Sequence, residues 1–329
     1  VTIPPCPSVT LLGEEIVYAF LEPTHLADCT TETIDLCLEH WKSSLPTIPA
    51  VGSLMRHGWD LIERNAEQLC RDAPFFEQTR TDPSLTVVGP RERLHIATAR
   101  VEPMVLLDTT KGPIVVDREA IVTAFSRLEG PCYVGPRSQV HGARLRGGVT
   151  LGPDCRIGGE LEASIVHGRS NKAHDGFLGH SYVGEWVNLG AGTQNSDLRN
   201  DYGEVTVTIA GRRVATGMTK AGCLIGDHTK SGLGTLLNTG ANIGAFCNLL
   251  PGGLLPRYMP SFCSWWNAAL AANDDFAPLL ETAQVVMARR GVTLTAVHAA
   301  LYRHLHEQTT AERSRVLRDA EVRRLRRSA

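Results

Sequence analysis

The sequence has no apolar run approaching the roughly eighteen residues that a membrane-crossing helix needs. Its N-terminus also lacks the basic flank and apolar core of a leader, so the expectation is a cytoplasmic protein with no membrane partner. Excess charge of either sign is missing: Lys+Arg 33 against Asp+Glu 35 leaves bulk charge pointing to no nucleic-acid partner. The nine cysteines form no C-x-x-C pair and their number is odd, which argues against a disulfide framework and against a zinc site. Reduced, buried thiols and no bound metal are the reading that remains. No Gly-rich phosphate loop stands near the N-terminus either; Leu11–Glu15 (LLGEE) is not one.

What is present is a repeat. From residue 116 to 255 aliphatic residues recur every six positions. Val116, Val122, Leu128, Val134 and Val140 form one frame, and Leu145, Leu151 and Ile157 a second. Ile165, Phe177, Val183 and Leu189 fit a third with Asn171 as its polar break; Ile225, Leu237, Ile243, Leu249 and Leu255 fit a fourth with Ser231 as its exception. A period of six matches neither a helix nor simple strand alternation. It predicts a mainly β fold, a left-handed parallel β-helix in which each side of a triangular coil is one short strand with one aliphatic residue inward. Ile225 and Ile243, eighteen apart, should stack directly. A sandwich with Gly-rich turns is the competing reading, and five consecutive matches in one frame weigh against it.

Three regions follow: a mixed α/β part over 1–105, the β-helix over 106–262, and a helical extension over 263–329. A helix is predicted from Leu54 to Arg71, and further helices over Thr293–His306 and Thr310–Arg327. The last is rich in arginine (Arg313, Arg315, Arg318, Arg323, Arg324, Arg326, Arg327) and reads as a solvated face. Residues 195–220 are a polar excursion too long for a corner, and long loops in a solenoid tend to be functional.

The densest polar stretch is Ser170 to Gly192, SNKAHDGFLGHSYVGEWVNLGAG, which places Asn171, Lys172, His174 and Asp175 together. A histidine projecting from a coil wall suits general-base work. His174 as a satisfied structural histidine is the alternative, and for His180 and His228 the expectation is a structural role or one behind the residues that touch substrate.

This stretch, with SDLRNDYGEV (196–205), GDHTKSGLGTLLNTGANIG (226–244) and LPRYMPSF (255–262), resembles a bacterial family of sugar nucleotidyltransferases. Its members are described as UDP-N-acetylglucosamine diphosphorylase/glucosamine-1-phosphate N-acetyltransferases. The resemblance runs from about Trp59 to the C-terminal helices, with WDLIERNAEQL (59–69) matching only the later part of the family's nucleotidyltransferase domain. More distantly, KAHDGFLG and VNLGAGT resemble segments of the bifunctional uridylyltransferase/acetyltransferase, with Phe177 where that enzyme has a substrate-contacting tyrosine.

The resemblance implies an acetyl-CoA-dependent N-acetyltransferase for an amino-sugar 1-phosphate, acting in nucleotide-sugar biosynthesis as a homotrimer. His174 would be the general base. Asn171, Asn188, Asn200 and Tyr202 would hold the sugar, and Lys172 its phosphate, with Arg169 and Lys220 as weaker partners for that phosphate. Backbone N–H groups of Gly190, Ala191 and Gly192 would face the acetyl-CoA oxyanion, and Lys220 the coenzyme. Because the first stretch of the family's nucleotidyltransferase domain is unmatched, that activity, with its Mg²⁺, is the alternative. A non-catalytic trimeric scaffold is the other.

Overall fold

A computed structural model describes residues 6–76 and 82–328 of the chain. The chain folds as two compact units that meet in sequence between Arg56 and His57. In the first, Ser8–Leu12 and Glu15–Phe20 form an antiparallel hairpin, and Thr47–Pro49 adds in parallel beside the first strand. Helix α1 (Ile34–Ser44) buries Trp41. LLGEE is the hairpin turn, with Gly13 at φ +60° supplying the left-handed geometry that a side chain resists.

The second unit is a three-faced parallel β-solenoid of hexapeptide type, and its register fits the left-handed β-helix read from the repeat. Along one face Ile96, Val116, Val134, Leu151, Val166, Val183, Ile225, Ile243 and Met259 pair in succession. Ile225 and Ile243 are direct partners, as the eighteen-residue spacing requires. A second face stacks Leu107, Leu128, Leu145, Leu161 and Leu178. A third runs Val101, Val122, Val140, Ile157 and then Lys172. These side chains fill one continuous apolar column, and burying each aliphatic residue is worth about 1.5–3 kcal/mol. Cys132, Cys155, Cys223, Cys247 and Cys263 lie in the same column, where burial pushes their thiols up to about 11 or 12.

The third frame is shifted by one over its first half only; Val183 and Leu189 are buried in the column as the frame requires. Val166, Lys172 and Leu178 point inward, and Ile165, Asn171 and Phe177 outward. Leu151 meets Val166 fifteen residues later, so this coil is three residues short of the ideal eighteen and the strict step of six fails there. The stack also begins earlier than residue 106: Thr86–Val88 and Leu94–Ile96 are already strands of it. Helix α2 (Gly58–Asp72) buries Trp59 and Ile62. Its Asn65 amide donates to Gly148 O (2.8 Å) and accepts from Thr150 Oγ1 (2.8 Å), which lays the helix along the outside of the Val116–Met259 face.

At the other end an unexpected hairpin (Cys263–Trp266 with Ala269–Ala272) closes the stack before helices α3 (Ala277–Ala288), α4 (Ala296–Gln308) and α5 (Thr310–Ser328). Their anchor is a column at one corner. Glu119, Arg137, Asp154, Arg169, Trp186, His228, Phe246 and Phe262 occupy successive corners, all at positive φ. The later members are aromatic and stack, His228 on Phe246 (ring centroids 4.6 Å) and Phe246 on Phe262 (4.9 Å). Phe246 and Phe262 cluster with Ala283 and Tyr302 of the extension. Arg313 is buried rather than solvated: it lies over Phe262 and donates to His306 O (2.9 Å). The side chains of Arg323, Arg324, Arg326 and Arg327 lie outside the described residues.

His228 is buried in this seam, its Nε2 3.0 Å from Tyr302 Oη. Burial, with the Lys230 and His298 charges, pushes its pKa down to about 3, against an ordinary 6.5. The unfolded chain therefore takes up a proton between about pH 6.5 and 3 that the folded chain refuses, so stability falls on acidification through that window, by ~5 kcal/mol at full extent. In melting curves recorded from pH 7 to 4, His228→Phe should show a smaller acid-side loss than the parent; identical pH dependence would rule this origin out.

Candidate active site

The excursion over 195–220 contains a two-stranded hairpin, Thr206–Ile209 with Arg212–Ala215. Arg315 of α5 holds it through Ala210 O (2.7 Å). Ahead of it, Asn200 and Tyr202 stand on an exposed turn stapled by the Arg199–Asp201 ion pair, with Tyr202 73% exposed. Among the described residues, no hydrogen bond links either side chain to the neighbourhood of His174.

That neighbourhood is a corner between two faces. Asn171 and Lys172 form the last strand segment before it, His174 and Asp175 lie on the corner in solvent, and Phe177–Gly179 starts the next side. Gly176 makes the corner possible. Its φ is +131°, and a Cβ there would sit 2.2 Å from Thr193 O of the next coil. Gly176→Ala should therefore cost about 1–3 kcal/mol and distort the His174 corner, seen as a lower melting point together with lost activity; an unchanged melting point would contradict the geometry.

Lys172 is not where a phosphate ligand must be. It occupies the inward position of the third face, only 3% exposed, and its ammonium donates to His174 O (2.7 Å) and Gly158 O (3.2 Å). The short coil brings two corner carbonyls toward the interior, and buried acceptors need donors. Lys172 supplies them. Burial pulls its pKa down to about 8, against a smaller opposing pull from Asp175.

The expected oxyanion donors are mostly committed. Gly190 N–H donates to Ser231 Oγ (3.0 Å) and Gly192 N–H to Asp175 O (3.0 Å), since a parallel coil spends its backbone groups on its neighbours. Ala191 N–H has no acceptor among the described residues. Asn171 and Asn188 point outward on adjacent coils and bond each other, Asn171 Nδ2 donating to Asn188 Oδ1 at 3.2 Å. Asn171 Oδ1 also accepts from Arg290 of the helical extension at 2.7 Å. Lys220 lies beside Glu162 (3.6 Å), and Arg169 is paired with Glu185 (2.9 Å).

One arrangement was missed in the sequence. His180 Nδ1 lies 2.7 Å from Asp197 Oδ2, at the far end of the Phe177–Gly179 segment. Burial raises the Asp197 carboxyl, but the His180 hydrogen bond and the His180 and Lys220 charges hold it below the usual range. An imidazole whose Nδ1 is engaged by a carboxylate presents Nε2 to accept a proton. The only sequence signal was a His in a GHS string seventeen residues ahead of an Asp, one coil apart. His228, by contrast, is enclosed in the aromatic seam. Among the described residues no group of three His, Cys, Asp or Glu side chains comes together to hold a metal, and no helix is long and apolar enough to cross a membrane.

Curated proteins similar to the chain are named as bifunctional, and one of them is named for two activities. A bifunctional sugar-1-phosphate nucleotidylyltransferase/acetyltransferase of Sulfurisphaera tokodaii is 33% identical over 155 residues, 45% of this chain and 37% of that protein. The bifunctional protein GlmU of Gloeothece citriformis is 30% identical over 164 residues, 49% of this chain and 31% of its own length. Part of the chain is thus similar to part of these two bifunctional proteins. The GlmU of Rippkaea orientalis is 34% identical over 122 residues, 36% of this chain and 25% of that protein. The match to the GlmU-type relatives thus spans about a third of their length or less. No protein-family model matches the chain.

Proposed function

We propose that the chain is an acetyl-CoA-dependent N-acetyltransferase acting on an amino-sugar 1-phosphate, with His174 as general base. The observation that carries this is the solvent-facing imidazole on a corner of a hexapeptide solenoid, three residues beyond Asn171, whose amide is bonded to the outward Asn188 of the next coil. The name of the Sulfurisphaera tokodaii relative, a nucleotidylyltransferase/acetyltransferase, supports the reaction class.

The amino nitrogen attacks the thioester carbonyl and His174 accepts the proton it sheds. The tetrahedral oxyanion needs a preorganised donor, and Ala191 N–H is the uncommitted one of the three expected. The C–S bond then breaks, and the CoA sulfur leaves with a proton returned from the imidazolium. Lys172 steadies the corner through the His174 carbonyl rather than touching substrate. The exposed Asn200–Tyr202 turn is assigned to the site of a neighbouring copy in a homotrimer, which fits its exposure to solvent.

A second reading has its own observation: His180, backed by Asp197, is the base instead. Free thiol release from acetyl-CoA, followed with and without glucosamine-1-phosphate, tests the reaction. Release that depends on the amino sugar is expected. No release with any amino-sugar phosphate, alongside pyrophosphate formation from UTP, would replace acetyl transfer by nucleotidyl transfer.

A further inference from the structure

The outside of the third face carries more positive charge than its carboxylates neutralise. Arg156, Asn171, Asn188 and Lys230 occupy successive outward positions there. The helical extension adds Arg290, just past the end of α3, whose guanidinium donates to Asn171 Oδ1 at 2.7 Å. Asn171 in turn donates to Asn188, so one side chain is locked to the next.

The nearby carboxylates are already taken. Asp154 makes a bidentate pair with Arg137 (2.9 and 2.8 Å), and Glu185 is bonded to Arg169. Among the described residues neither Arg156 nor Arg290 has a carboxylate within 4 Å. Both are only partly exposed. Burial and the Arg156 charge hold the Arg290 guanidinium below its usual value, with Asp154 opposing. Two partly buried like charges that both neighbour Asn171 repel one another, an arrangement that is unfavourable until an anion joins them. A phosphoryl group suits this pair, because guanidinium forks bind its oxygens bidentately and an asparagine amide can add a neutral donor.

We propose that Arg156 and Arg290, steadied by Asn171 and Asn188, form a phosphoryl-binding site that holds the phosphate of the sugar substrate. Phosphoryl binding stands on the charge geometry alone; the identity of the occupant rests on the acetyl-transfer reading. Asn171 precedes His174 by three residues, at most about 10 Å of chain, a span that a single small sugar phosphate can bridge. The phosphates of acetyl-CoA sit a whole pantetheine arm from its thioester, which favours the sugar as the source.

The test uses the full chain and inorganic phosphate as probe, titrated by calorimetry against the parent, Arg290→Gln and Arg290→Lys. Arg290→Gln should weaken phosphate binding at least tenfold and Arg290→Lys less. Arg156→Gln repeats the experiment with a residue that does not tie the extension to the coil, in case Arg290→Gln fails to fold. Unchanged phosphate affinity in folded Arg290→Gln or Arg156→Gln overturns the site. In turnover, the KM for glucosamine-1-phosphate should rise 10–100-fold with the KM for acetyl-CoA unchanged; a rise confined to acetyl-CoA would overturn the assignment to the sugar. Arg290-dependent phosphate binding in a protein that transfers no acetyl group would keep this site and remove the acetyl-transfer reading.

Discussion

His174→Ala is expected to lower acetyl transfer to glucosamine-1-phosphate by about 10²–10⁴ while leaving the solenoid folded. That is the range a positioned general base contributes. The fold should be indifferent because the imidazole is in solvent on a corner, and the coil is held there by backbone atoms: His174 O by the Lys172 amine, Asp175 O by Gly192 N–H. The effect should fall on kcat more than on either KM, since the interaction removed is made in the transition state. His180→Ala measured beside it separates the two candidate bases. A His174→Ala enzyme of parental activity together with a dead His180→Ala enzyme would move the base to the His180–Asp197 pair.

Lys172→Met comes next in size. It fills similar space in the apolar column but leaves His174 O and Gly158 O without their donor, a loss of about 1–3 kcal/mol for each buried acceptor left bare. The corner is then free to shift, and a displacement near 1 Å costs on the order of 10² in rate. The expected outcome is a fall in kcat of about 10–100-fold, a lower melting point and little change in the KM for the sugar phosphate. A Lys172 that bound phosphate directly would give the opposite split, a raised KM with kcat retained. The pH dependence is a second check. With a folded pKa of about 8 against about 10.5 unfolded, the unfolded chain binds more protons between those values, so stability rises with pH across that window, by ~3 kcal/mol at most. Lys230, also lowered by burial, adds to the same limb, and Lys172→Met should flatten part of it.

The architecture was legible because packing alone dictates it. Val116, Val122, Leu128, Val134 and Val140 are all fully buried, and five inward residues at a strict step of six are what a three-sided coil of short strands requires. The first half of the third frame was misread where physics allowed an exception: a lysine can point inward when two carbonyls wait for it, and aliphatic Ile165 can point outward on the face that α2 covers. Gly190 to Gly192 looked available as donors because a sequence does not say which N–H groups the adjacent coil consumes. Ser231, forty-one residues away, takes one of them. Arg290 lies 119 residues from Asn171 and had no motif to announce it. The pairing of His180 with Asp197 depends on coil register, which the short coils before it had already displaced.

The most direct measurement of the central claim is a crystal structure of the full chain with CoA and an amino-sugar phosphate bound. The sugar amine should lie about 3 Å from the His174 imidazole and within about 3.5 Å of the position of the thioester carbonyl. A sugar amine seated beside His180 and Asp197, with His174 left in open solvent, would contradict the account.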